Sequence, residues 1–129
     1  MEREVVRRAS GRCEYCRFPQ IAAELSFHID HVIAEQHGGA TASENLAWAC
    51  FSCNLHKGPN IAGRDPLNGN LTRLYHPRED RWTDHFAWEA VSLRGRTAVG
   101  RTTVDVLAMN HPDAIAVRAA LQEEGIIEP

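Results

Sequence analysis

The chain has 129 residues, of which 43% are hydrophobic and 24% charged, and its formal net charge is −3. That length fits one domain of roughly 100–150 residues, and the composition excludes collagen-like and strongly disordered classes. No stretch approaches the roughly 20 apolar residues of a membrane span. The opening Met1-Glu2-Arg3-Glu4-Val5-Val6-Arg7-Arg8 lacks the apolar core of a signal peptide. A cytoplasmic protein with no membrane partner is expected, and there paired cysteines serve metals more often than disulfides.

The mild net acidity hides a pattern. Residues 1–17 carry five Arg against three Glu, whereas residues 18–53 carry four acidic side chains and no Lys or Arg. Residues 54–101 carry one Lys and seven Arg against five acids, and residues 102–129 one Arg against five acids. Local cations suffice for phosphate contacts, but a mixed solvated surface explains the same distribution.

In chain order, residues 2–9 read as a helix ended by Ser10-Gly11, followed by a knuckle at Cys13-Glu14-Tyr15-Cys16. Leu25 to Val32 alternates and is rich in strand formers. Gly38-Gly39 opens a loop, and Leu46 to Cys50 reads as a second strand. A short helix should begin at Ser52 and stop at Gly58-Pro59, because a residue before proline is pushed out of the helical region. Asn68-Gly69 suggests a hairpin leading into Leu71–Tyr75, and residues 85–93 suggest one further strand. From about Thr102 the tail reads as helical. Val104, Leu107 and Ala108 form one apolar stripe. Ala114, Val117, Ala120 and Leu121 form another after Pro112, with Gly125 as the stop.

All four cysteines fall in two C-x-x-C pairs, Cys13/Cys16 and Cys50/Cys53. A two-residue gap lets both thiolates of a pair turn toward one ion, and four thiolates complete a tetrahedral zinc. A redox site needs only one pair within a βαβ pattern, which is absent. Four thiolates leave no coordination position for water, so this zinc is structural and any chemistry must lie elsewhere.

Between and after the pairs run His28-Ile29-Asp30-His31, Gly38-Gly39, Asn45-Leu46 and Cys53-Asn54-Leu55-His56-Lys57-Gly58. Over residues 13–58 this resembles the HNH endonucleases, whose pattern is Asp-His, Gly-Gly, Asn-Leu and C-x-x-C-Asn-x-x-Lys-Gly. The resemblance implies an α+β fold with a ββα-metal, treble-clef-like core and a structural zinc, extended by a hairpin and C-terminal helices. It implies one HNH domain over residues 1–129, with its core at 10–60 and an extension at 61–129.

The same resemblance implies metal-dependent hydrolysis of DNA phosphodiesters. His31 is then the general base, suited by an imidazole that titrates near neutrality. Asp30 supplies a hard carboxylate to a catalytic Mg²⁺ or Mn²⁺, and Asn54 occupies the position of the second ligand. Asn45 matches the central Asn of the motif, which bonds backbone around the base. Adjacent strand residues face opposite ways, so a bend or a strand end is needed to bring Asp30 and His31 to one site.

Some assignments stay open. The last His of the family name is Asn54 here, with His56 two residues on, about 200° around a helix; Asn54 is the favoured ligand. His28 shares the strand face of Asp30, and either supports the metal or phosphate or is an ordinary core or surface histidine. Lys57 is a candidate phosphate contact, or a solvated lysine. The stretch His76-Pro77-Arg78-x-Asp80-x-Trp82…His85-Phe86 resembles an extension of one subgroup of bacterial HNH proteins. Arg78 and Arg81 there are candidate nucleic-acid contacts, but Arg78 with Asp80 reads equally as an ion pair, and Trp82, Phe86 and Trp88 as a satellite core. The rival function is a zinc-stapled module that binds nucleic acid or protein without cutting. A monomer and a homodimer are both compatible with the sequence.

Overall fold

The computed structural model describes residues 1–127, so the last two residues of the expected extension lie outside it. Helix α1 (Glu2–Arg8) carries Glu2 and Glu4 in its first turn and Arg7 and Arg8 in its last, complementing the helix dipole. It buries Val5 and packs on strand β2 (Leu46–Ala49). Strand β1 (His28–His31) pairs antiparallel with β2 in the register His28↔Ala49 to His31↔Leu46. Helix α2 (Phe51–Lys57) follows directly, its N-terminus capped by the Cys50 sulfur, which accepts from the Cys53 amide. These three elements form the ββα core.

Beyond it, β3 (Ala62–Arg64) and β4 (Leu71–Arg73) form the expected hairpin. The single strand expected over residues 85–93 is instead a short helix α3 (Trp82–His85) followed by a hairpin of β5 (Phe86–Glu89) and β6 (Ser92–Gly95). Its turn was hidden because Ala90, not Gly or Asn, takes the left-handed conformation there, at φ 56°. Helix α4 (Ala98–Val106) starts earlier than expected, where the Thr97 hydroxyl accepts from the Gly100 amide at 3.0 Å. Helix α5 (Pro112–Glu123) begins with Pro112, as its sequence suggests.

The buried side of α5 differs from the stripe expected. Val117 is 45% exposed, whereas Arg118 is buried, donating to the carbonyls of Val91 and Met109 and to Asn110 Oδ1. Buried carbonyls of the β5–β6 turn and the α4–α5 link need donors, and that need outranks the helix's weak apolar period.

Trp82, Phe86 and Trp88 do not form a separate satellite. Ring centroids lie 5.2 Å apart for Trp82–Phe86 and 6.2 Å for Trp82–Trp88. One continuous core runs from the four cysteines through Tyr15, Trp82 and Phe86 to Leu107 and Met109. Among the described residues no helix is long and apolar enough to cross a membrane.

Docking of α4 on the rest depends on Gly100. A Cβ there would fall 2.0 Å from the His85 carbonyl oxygen and 3.2 Å from the Gly95 Cα. Helix propensity alone favours alanine over glycine by about 1 kcal/mol, but both obstacles are backbone and cannot swing aside. Gly100→Ala is therefore expected to destabilise the protein, by about 1–3 kcal/mol of overpacking strain. Denaturant titration of the zinc-loaded variant reads it; a stability gain would show that α4 shifts freely.

Candidate metal centres and active site

The knuckle and the N-terminus of α2 bring Cys13, Cys16, Cys50 and Cys53 together, all buried, with their Sγ atoms within 4.8 Å of one another. Cys16 and Cys50 Sγ are 3.7 Å apart, close to the roughly 3.8 Å between sulfurs of a tetrahedral zinc with 2.3 Å bonds. The amides of Tyr15 and Cys16 donate to the Cys13 sulfur, and that of Cys53 to the Cys50 sulfur. Hydrogen bonds from Cys13, Cys16 and Cys53 hold the Cys50 thiol far below the ordinary thiol range, while proton sharing with Cys13 pushes Cys16 and Cys53 well up. Metal binding requires deprotonated cysteines, and a divalent cation offsets the charge of four thiolates gathered this closely. The buried cluster fits a structural zinc.

A separate open cleft of about 330 Å³ has Asp30, His31, Glu35, Asn54, Gly58 and Pro59 among its lining residues. Asp30 and His31 share it despite the strand alternation because His31 is the last residue of β1. Asp30 is buried and His31 has a quarter of its side chain exposed. His31 Nε2 lies 2.9 Å from Thr41 Oγ1 and 3.3 Å from Glu35 Oε1, and Nδ1 takes part in neither contact.

Asn45 braces the loop that follows. Its Oδ1 accepts from the Ile33 amide at 2.9 Å, and its Nδ2 donates to the carbonyls of Ile33 and Ala40 at 2.9 and 2.8 Å. A Cβ on Gly39 would fall 1.7 Å from the Ile33 carbonyl oxygen and 2.8 Å from Asn45 Nδ2; the loop closes this tightly only over glycine. Arg8 holds the outside of the loop, donating to the carbonyls of Ser43 and Leu46.

Behind the cleft, the Asp30 carboxylate meets two donors that sequence reasoning missed. The Tyr15 hydroxyl donates to Oδ2 at 2.6 Å, and Lys57 Nζ lies 3.3 Å from Oδ1 and 3.2 Å from Oδ2. Lys57 also donates to the His31 carbonyl at 3.1 Å. Burial pushes the Asp30 carboxyl up, against the pull of Lys57, Tyr15 and His31. Burial and the neighbouring carboxylate push the Tyr15 phenol well above its ordinary value, which keeps it a donor. Lys57 is 1% exposed, so its ammonium faces inward rather than out to a phosphate or to solvent. Glu35 and Thr41 were also missed, since an exposed acid and a loop threonine carry no motif of their own.

Other candidates fall outside the cleft. His28 is exposed with its ring 6.1 Å from that of Phe51. His56 is exposed and bonds back to the Ser52 carbonyl through Nδ1 at 2.8 Å. Arg78 pairs with buried Glu14, and burial, then Arg8, pull its pKa down to about 10. Asp80, read as its partner, instead accepts both terminal nitrogens of Arg73 at 2.7 and 3.0 Å. Arg81 remains exposed.

The 76–86 stretch clamps the knuckle. Arg78 takes Glu14, the Trp82 indole donates to the Tyr15 carbonyl at 2.8 Å, and Arg17 lies over the Trp82 ring at 5.0 Å. Glu14 and Tyr15 of the knuckle, and Arg17 next to it, are thereby held by the extension.

Residues 13–60 match the family model described as HNH endonuclease. The chain is also similar to the Septu protein PtuB of Bacillus thuringiensis, 24% identical over 109 residues, which covers 83% of this chain and 40% of that protein. It thus spans less than half the length of that relative. No solved structure matches. Residues 13–60, which match the HNH endonuclease model, hold both the buried four-cysteine cluster and the Asp30–His31 cleft.

Proposed function

We propose that the protein is a metal-dependent nuclease that hydrolyses DNA phosphodiesters at the Asp30–His31–Asn54 cleft. The observation that carries this is the meeting of those three side chains on one open surface, with Asn45 bracing the loop behind His31. Asp30 and Asn54 offer oxygen donors suited to Mg²⁺ or Mn²⁺. Tyr15 and Lys57 leave carboxylate lone pairs on Asp30 for that purpose. When bound, the ion polarises the scissile phosphate and offsets charge on the leaving oxygen.

The remaining work falls to this chain's own groups. His31 accepts a proton from the attacking water at Nδ1, the nitrogen outside the Thr41 and Glu35 contacts. The Glu35 carboxylate steadies the resulting imidazolium through Nε2. Asn45 and Gly39 hold the loop so that Thr41 stays against the ring. The water oxygen bonds to phosphorus as the P–O3′ bond breaks, and the departing 3′ oxygen takes a proton from solvent, leaving 5′-phosphate and 3′-hydroxyl ends. The zinc staples the fold and takes no part in these steps.

The test is plasmid relaxation by zinc-loaded protein with Mg²⁺, Mn²⁺ or EDTA, beside His31→Ala. Metal-dependent nicking should fall by about 10²–10⁴-fold in the variant, whose fold and zinc survive because His31 is partly exposed and outside the core. Undiminished metal-dependent cleavage by His31→Ala would remove the mechanism. No cleavage by wild type with any metal would leave the binding module.

A further inference from the structure

We propose that Tyr15 is a positioning residue for the Asp30 carboxylate, extending the order of the four-cysteine cluster into the cleft. The inference rests on the reading of Asp30 as a metal ligand.

Tyr15 lies between Cys13 and Cys16, fully buried, and three of its polar groups are held by three different parts of the chain. Its amide donates to the Cys13 sulfur at 3.4 Å, its carbonyl accepts from the Trp82 indole at 2.8 Å, and its hydroxyl reaches Asp30 Oδ2 at 2.6 Å. Its ring also meets Tyr75 edge-on, centroids 6.5 Å apart. The phenol cannot swing without breaking the knuckle or its packing, so the hydroxyl marks a fixed point.

Lys57 answers a different need. Its ammonium lies at nearly equal distance from both Asp30 oxygens, 3.3 and 3.2 Å. It balances the carboxylate's charge but discriminates little between rotations about the Cβ–Cγ bond. The short hydroxyl contact falls on Oδ2 alone and sets that rotation, hence which lone pairs face the cleft. Partners that orient a metal-ligating group typically matter 10- to 100-fold in metal affinity. Tyr15→Phe removes the orientation and leaves the charge balance, the ring and the knuckle backbone in place.

The experiment titrates Mn²⁺ into the zinc-loaded full chain, wild type and Tyr15→Phe, following free Mn²⁺ by electron paramagnetic resonance. Wild type should bind one Mn²⁺ apart from the zinc. The variant should bind it about 10-fold more weakly with its zinc content unchanged, and Tyr15→His should not restore binding. Equal affinity in wild type and Tyr15→Phe would overturn the positioning role and leave the nuclease reading intact. Absence of Mn²⁺ binding by wild type would sink the reading of Asp30, and this inference with it.

A second measurement needs no substitution at Tyr15. The chain has two tyrosines, so 3-fluorotyrosine labelling gives two ¹⁹F resonances, which Tyr75→Phe assigns. Diamagnetic Mg²⁺ should move the Tyr15 resonance, because its hydroxyl shares the ligand carboxylate; a Tyr15 resonance indifferent to saturating Mg²⁺ would overturn the proposal.

Discussion

Withdrawing zinc with a strong chelator is expected to unfold residues 13–60 cooperatively and to end cleavage. The four cysteines are at most 8% exposed and belong to the continuous core rather than to its rim. Structural zinc sites contribute about 10–16 kcal/mol of binding free energy near neutral pH, comparable with the whole stability of a domain, about 5–15 kcal/mol. Without the ion, thiols with raised and lowered proton affinities crowd within 4.8 Å of each other. Cys50→Ser should act like chelation, because it removes a zinc ligand while leaving a side-chain acceptor at the N-cap of α2. Near-ultraviolet circular dichroism during chelation and zinc re-addition reads the effect. A chelated protein that keeps its tertiary signal and melting temperature would show that the apolar core suffices alone.

Asp30→Ala is the second large effect, and it should reach stability as well as chemistry. Lys57 is 1% exposed and Asp30 5%, so the deletion strands an ammonium in the interior or forces it to release its proton. Breaking a buried pair by removing one partner costs about 3–5 kcal/mol, and the Tyr15 hydroxyl loses its acceptor as well. The double variant Asp30→Ala/Lys57→Met should regain most of that loss while remaining inactive. Denaturant unfolding of the three proteins checks the pattern against His31→Ala, which should lose activity alone. An Asp30→Ala protein as stable as wild type would mean that the buried pair contributes nothing to the fold.

The motif residues were legible either through their spacing, as for the cysteines, or through resemblance to a family pattern. Two C-x-x-C pairs can meet one ion, whereas Asp30, His31, Asn45 and Asn54 stood out through the resemblance of residues 13–58 to the HNH pattern. What escaped was the set of partners that those residues require. Lys57 reads as a surface cation until β1 is placed against α2 and its charge finds Asp30. Tyr15 carries no role in the sequence beyond its place in the knuckle, and its hydroxyl reaches the same carboxylate only in the folded chain. The extension misled for a related reason. Arginines and tryptophans suit nucleic acid and interior packing equally, and only the tertiary contacts of Arg78 with Glu14 and Trp82 with Tyr15 distinguish the two. The β5–β6 turn carried no glycine or asparagine to announce it.

The Trp82–Tyr15 contact also bears on the order of assembly. It joins residues 67 apart in sequence, whereas the Tyr15–Asp30 contact spans only 15. Loop-closure entropy grows with separation, so the shorter loop closes at lower entropic cost. During synthesis the cysteines and the β1–β2 hairpin emerge before Trp82 does. The topology therefore favours a chain that gathers its metal first and seals the knuckle last, with the indole of Trp82 as the latch.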